Sequence, residues 1–375
     1  MSLHSLPAAL RAALLSLALS LLLLQPARAE IAVTDVLGRT VTLAGPPQRV
    51  LLGFYFEDFI AIGGPEALDR LAAVSLHYWQ GYRPNQYAAY LAAAPQLAAL
   101  IDVGDADSGS LSAERIIAAG PDVAILSAGQ YAYLGAAADA VEAAGIPIVV
   151  VDYNAQTLEK HVASTRVIGR VMGTEARAEA LAAAYVAAVE DTARRIAAAG
   201  AARKPRVYVE LGQKGPSEYG NSYGKGMWAG VVEAAGGDNI AVGQVGNWGP
   251  LTPEYVVAAR PEAIFVTGSA WTAMPEAVLM GFGIDPALTR ERLRPYLRRP
   301  GWEDLPAVAA GQVHALYHGG TRSLHDYAYL RYIAKALYPE AFADVDPEAE
   351  LAAYYATYLP VRPAGGFMLR LDPRP

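Results

Sequence analysis

The segment Leu111-Ser-Ala-Glu114-Arg-Ile-Ile-Ala-Ala-Gly-Pro121-Asp-Val-Ala-Ile-Leu126 sets a plan that Leu251-Thr-Pro-Glu254-Tyr-Val-Val-Ala-Ala-Arg-Pro261-Glu-Ala-Ile-Phe-Val266 repeats later in the chain. Each copy reads as a capping Ser or Thr, a Glu, a short amphipathic helix, a Pro break, an acidic residue and a buried strand. Helix-start chemistry explains part of this, because a hydroxyl caps the first turn and an acid there offsets the dipole. It does not explain why the Glu-to-Pro spacing is the same in both copies, nor why one copy falls in each half.

Outward from the first copy, residues 31–41 alternate around Leu37-Gly38-Arg39 and predict a hairpin. Short apolar runs at 50–53, 71–74, 122–126 and 146–151 predict strands, as do 206–211, 262–266 and 313–317 around the second copy. Continuous apolar strands alternating with helices mark a parallel sheet buried on both faces. Helices are predicted at 158–172, 174–199, 323–337 and 347–358, with Thr174 as a cap. The 174–199 helix would be about 39 Å long at 1.5 Å per residue, beyond a usual crossover helix. The predicted fold is therefore α/β, with two parallel-sheet lobes and a long α-helix that can carry the chain from one to the other. The expected divisions are 1–29, a lobe at 30–156, connecting helices at 157–203 and a lobe at 204–375.

The composition agrees and excludes much else. The chain has 375 residues, 53% of them hydrophobic, and a length suited to about two domains. It has no Cys, which removes disulfides, thiolate metal sites and cysteine nucleophiles. The formal net charge of −7 argues against a nucleic-acid partner. Arg11, the apolar run at 12–24 and Ala27-Arg28-Ala29 read as a signal peptide cleaved after Ala29. The run is shorter than the roughly 20 residues of a membrane span. The product is expected in the periplasm.

The two Glu-helix-Pro-strand units, the opening Val33-Thr-Asp-Val-Leu-Gly-Arg39-Thr-Val-Thr-Leu43, the Ala-rich connecting helix and Ala235-Gly-Gly-Asp-Asn-Ile240 together resemble a periplasmic substrate-binding protein of an ABC importer. The similarity is to the subclass with two α/β lobes connected by a single long rigid α-helix, whose members bind ferric siderophores, haem or cobalamin, and it implies a ligand cleft between the lobes. The resemblance implies that Glu114 and Glu254 each meet Arg on a dimeric permease. It also implies a monomeric receptor for a ferric siderophore or related metal chelate, with no cofactor of its own. An oxyanion such as molybdate or tungstate, haem and cobalamin remain alternatives, and an exported enzyme of unknown type is the outside one.

Ligands of open parallel sheets bind beyond the carboxyl ends of the strands. The post-strand loops supply Tyr55, Glu57, His77, Tyr78, Trp79, Arg83, Tyr131, Tyr153, Tyr219, Tyr223, Trp271, His318, Arg322 and His325 as candidate ligand-binding residues. Aromatic walls with a few cations suit a bulky, partly apolar ligand. Ser323 and Asp326 form a capping-box-like start, which predicts free N–H groups facing the cleft beside Arg322. His77, His318 and His325 with Glu57 could hold a metal directly, which the sequence leaves open. No G-x-G-x-x-G, H-E-x-x-H or Walker A sequence is present, and no catalytic pair stands out.

Overall fold

The structure is a computed structural model that describes residues 30–372. The expected signal segment lies outside the described residues, and no described helix is long and apolar enough to cross a membrane. Strands β1 (Ile31–Thr34) and β2 (Thr40–Leu43) form the predicted antiparallel hairpin. Strands β3 (Val50–Leu52), β4 (Leu71–Val74), β5 (Ile101–Asp102), β6 (Val123–Ser127) and β7 (Ile148–Val151) form an all-parallel sheet in the order β5-β4-β3-β6-β7. Every side chain of β3, β6 and β7 is buried, as continuous apolar strands require.

The second half contributes β8 (Arg206–Leu211), β9 (Asn221–Tyr223), β10 (Asp238–Asn239), β11 (Trp248–Pro250), β12 (Ala263–Gly268), β13 (Gly281–Phe282), β14 (Val313–Tyr317), β15 (Gly365–Gly366) and β16 (Met368–Arg370). Its main sheet has the order β10-β8-β12-β14-β16, parallel except for β16. Two ribbons, β9–β11 and β13–β15, flank it. Each main sheet reverses direction once, at β3/β6 and at β8/β12. Such switch points open a crevice at the strand ends.

The repeat extends into tertiary hydrogen bonds that the sequence does not display. Ser112 and Thr252 cap helices Ala113–Ala119 and Pro253–Ala259 by accepting from the Arg115 and Tyr255 amides. Both helices end on a left-handed residue, Gly120 (φ 56°) and Arg260 (φ 49°). Asp122 then accepts from the Gln48 and Arg49 amides at 2.7 and 2.9 Å, and Glu262 from the Arg206 amide at 3.1 Å. Arg49 Nε donates to the Gly120 carbonyl and Arg206 Nε to the Arg260 carbonyl, both at 3.1 Å. Each unit thus locks a helix end, a strand start and the neighbouring strand together.

Helix Glu175–Ala199 has 25 residues, about 37 Å of helix. It packs along Leu158–Met172, where a Cβ on Gly169 would stand 2.3 Å from Ala178 Cβ. Thr174 occupies the expected cap position, but its side chain makes no capping bond. The last helices, Asp326–Leu337 and Pro347–Tyr358, return to pack near this pair. A single hydrophobic cluster therefore runs from Val50 and Phe59 through Tyr185 to Val266 and Tyr355.

Candidate functional site

A cavity of about 900 Å³ lies where the carboxyl ends of the two sheets face one another. Phe54 comes from the loop after β3, Gln130 from the segment after β6, Asp152 from that after β7, and His318 and Arg322 from that after β14. Tyr78, Tyr82, Tyr223 and Trp248 supply aromatic wall, and Arg83, Lys225 and Asp107 supply charge.

Two guanidinium groups flank one ring: Arg322 lies 5.0 Å and Arg83 5.3 Å from the Phe54 centroid. Among the described residues neither forms an ion pair, and the buried Arg322 Nε has no hydrogen-bond partner. Burial, then the Arg83 charge, lowers the Arg322 pKa to about 10. Burial, reinforced by Arg322 and Arg83, drives His318 well below its ordinary value, so its imidazole is neutral at neutral pH. Its Nδ1 is 3.2 Å from Thr267 Oγ1. Burial, then Asp105, raises the Asp107 carboxyl.

Strain gathers here. Tyr55, Gln156, Met227 and Arg322 all have positive φ, and Arg260 is the one other non-glycine residue that does among the described residues. Met227 and Arg322 line the cavity, Tyr55 packs edge-on against Phe54 at 4.9 Å, and Gln156 accepts the Arg322 amide. Such conformations persist where surrounding structure enforces them, often at binding sites.

Of the sequence candidates, Tyr78, Arg83, Tyr223, His318 and Arg322 line the cavity. The others do not. Glu57 and His325 are buried together at 3.1 Å, with Tyr90 and Tyr355 also donating to Glu57. Trp79 stacks on Phe56 in the core, and Tyr153 is bonded to Thr165. Tyr55 is buried behind Phe54. His77 is exposed against Tyr82. Tyr131 sits under Arg39, and Tyr219 between Trp302 and Arg299. Trp271 belongs to a separate apolar cluster, 5.9 Å from His318.

One open alternative and one expectation need correction. His77, His318 and His325 are not brought together, and no described group of three His, Cys, Asp or Glu could hold a metal. The helix after Arg322 begins at Asp326 rather than at Ser323, and two of the amides before it are already bonded. Leu324 N–H donates to Asp58 at 2.6 Å and Ser323 N–H to Asp326 at 3.4 Å. The cationic character of the loop therefore rests on Arg322 itself.

Sequence reading missed Asp107 and Trp248. Asp107 comes from a turn-rich segment without periodicity, so nothing local marks it. Trp248 could have been noticed as a large apolar residue beside Gly249-Pro250. Glu114 and Glu254 are both exposed in the first turns of the repeated helices. Ser112 Oγ donates to Glu114 at 2.6 Å.

The periplasmic binding protein family profile matches residues 53–317. The fold is similar to the TroA-like periplasmic binding protein FepB from Veillonella parvula, at 33% identity and TM-score 0.85, over 91% of this chain and 100% of that one. It is also similar to the molybdate-binding protein MolA from Haemophilus influenzae, at 20% identity and TM-score 0.68, over 89% and 99% of the two chains. A periplasmic heme-binding protein from Pseudomonas aeruginosa matches at 18% identity and TM-score 0.57, over 87% and 98%. These last two likenesses speak to fold alone. No curated protein matches the chain in sequence.

Proposed function

The chain belongs to the periplasmic binding protein family, and on that premise we propose that it is the receptor of an ABC importer, capturing a ferric siderophore or similar anionic iron chelate. One observation carries the ligand class: among the described residues, the buried Arg83 and the half-buried Arg322 have no carboxylate partner, and they flank Phe54 in a cavity of about 900 Å³. Buried cations left unpaired are costly, so an arriving anion is favoured. Aromatic walls suit a flat, partly apolar ligand. The cavity is many times larger than a tetrahedral oxyanion, which weighs against molybdate or tungstate.

Haem is a second reading, favoured by one feature. The neutral His318 imidazole is a competent iron ligand, with Arg83 and Arg322 near enough to meet carboxylates. Cobalamin has no comparable observation in its favour.

The receptor is read as a binder rather than an enzyme, exported to the periplasm through a signal at 1–29 and acting as a monomer. Residues 30–156 and 204–375 would be its lobes, with 157–203 between them. Glu114 and Glu254 would dock it on the permease, since exposed carboxylates on matching helices suit bidentate Arg contacts from two permease subunits.

The test is titration of the purified protein with ferric tris-catecholate, haemin, molybdate and cyanocobalamin, followed by tryptophan fluorescence. Ferric tris-catecholate is expected to bind most tightly. Tight haemin binding with a Soret shift lost in His318→Ala would establish the haem reading instead. Binding of none, or of molybdate alone, overturns both.

A further inference from the structure

Arg322 adopts a left-handed conformation at φ 64°, which few non-glycine residues hold unaided. Its guanidinium lies against a ring and, among the described residues, its Nε has no partner, so the side chain inherits its place from the backbone. The Arg322 N–H donates to Gln156 Oε1 at 3.0 Å. Gln156 is itself left-handed, at φ 54°.

The other end of the Gln156 amide donates from Nε2 to Asp326 Oδ2. Asp326 is fully buried and surrounded by donors. Tyr185 reaches its Oδ1 at 2.9 Å, and His161 Nε2 lies 3.0 Å from its Oδ2. His161 Nδ1 faces the Thr157 carbonyl at 3.0 Å, so both ring nitrogens face acceptors. Burial works against the Asp326 charge, but His161, Gln156 and Tyr185 together hold its carboxyl below the usual range.

A carboxylate only accepts, so the Gln156 nitrogen must face Asp326 and its oxygen must face Arg322. A Leu or Met at position 156 offers neither group, and a Glu lacks the donor. The polar chain thus runs from the 25-residue helix and its neighbour, through Asp326 and Gln156, to one residue of the cavity wall. The flanking packing is tight: a Cβ on Gly230 would stand 2.8 Å from the Gln156 side chain.

We propose that Gln156 is a positioning residue for Arg322, its amide pegging the Arg322 main chain to the buried Asp326 carboxylate so that the guanidinium is presented to the ligand's anionic group. This inference rests on the reading that Arg322 meets an anion.

Two measurements test it. The first needs no ligand: amide hydrogen exchange across 319–324 should quicken in Gln156→Met while helix Asp326–Leu337 keeps its protection. Unchanged exchange overturns the peg. The second is a double-mutant cycle with ferric tris-catecholate as the probe. Gln156→Met should weaken binding about tenfold in the parent background and by less than about twofold in Arg322→Ala, as expected when one residue acts through the other. Gln156→Glu, which sets a second carboxylate against Asp326, should lose more than Gln156→Met. An equal loss from Gln156→Met in both backgrounds means a merely structural role and overturns the proposal. If Arg322→Ala weakens the probe while Gln156→Met does not, the positioning role fails and the anion reading stands. If Arg322→Ala leaves affinity unchanged, or the parent does not bind the probe, the anion reading fails first.

Discussion

Asp58 is buried beside Glu57 and His325, and its carboxyl accepts from the Leu324 amide. Burial pushes its pKa up to about 7, against partial relief from His325, Leu324 and His161. A carboxyl raised in the folded state binds its proton more tightly there than when unfolded. Its contribution is greatest below about pH 4 and is lost as pH rises to about 7. Over that window the loss is roughly 4 kcal/mol at about 1.4 kcal/mol per pH unit. Burial lowers His325, but Glu57, Asp58 and Asp326 together hold it above its usual value, so its contribution also disappears as pH climbs past 6.5. Glu57 and Asp326 are held below their usual range and matter only under stronger acid. Urea melts should therefore show lower stability at pH 8 than at pH 5, and Asp58→Asn should flatten that slope and gain stability at pH 8. A steeper slope in Asp58→Asn would contradict the burial argument. At the cavity wall, Arg322→Ala should weaken an anionic ligand by about 1.5–3 kcal/mol, the scale of one charged hydrogen bond; calorimetric titration reads it.

The repeated helix–strand unit makes its own predictions. Asp122→Ala removes the acceptor for two backbone amides and Glu262→Ala the acceptor for one, at about 1 kcal/mol per bond. The two units sit on different sheets, so the double variant should cost the sum within about 0.5 kcal/mol; denaturant midpoints check this. The first turns of the same helices carry the docking proposal. Glu114→Ala with Glu254→Ala should abolish uptake in cells and leave affinity in solution unchanged, and weakened affinity would contradict docking. Elements at this scale were largely legible, because caps, Pro breaks and short apolar runs act locally. Helices Ala113–Ala119, Leu158–Met172 and Pro253–Ala259 fall where the sequence puts them. The start at Asp326 did not, because Asp58, far away in sequence, takes the Leu324 amide that a helix cap would have left free.

The cavity was less legible than the elements for the same reason at larger scale. Alternation and capping are properties of neighbours, whereas the loop residues were sorted into wall and core by contacts across the two halves. Glu57 and His325 stand in post-strand loops like site residues, yet they are bonded to each other inside the protein. Those contacts bear on how the molecule moves. Tyr355 donates to Glu57 at 2.7 Å, Leu324 to Asp58 at 2.6 Å, Ser269 to the Tyr82 carbonyl at 3.0 Å and Asn85 to the Phe282 carbonyl at 2.9 Å, all joining one half to the other. One apolar cluster continues through both. Halves tied by shared core and buried polar bonds cannot swing freely, unlike domains meeting at a small polar interface. Calorimetry should thus show a single transition with matching calorimetric and van't Hoff enthalpies, despite two separate sheets. Saturating ferric tris-catecholate should change the fluorescence of the rim residue Trp248, tested against Trp248→Phe, while the radius of gyration in X-ray scattering stays the same within error. Two resolved melting transitions, or a marked contraction on binding, would mean that the shared core is not the hinge-stiffening feature its continuity implies.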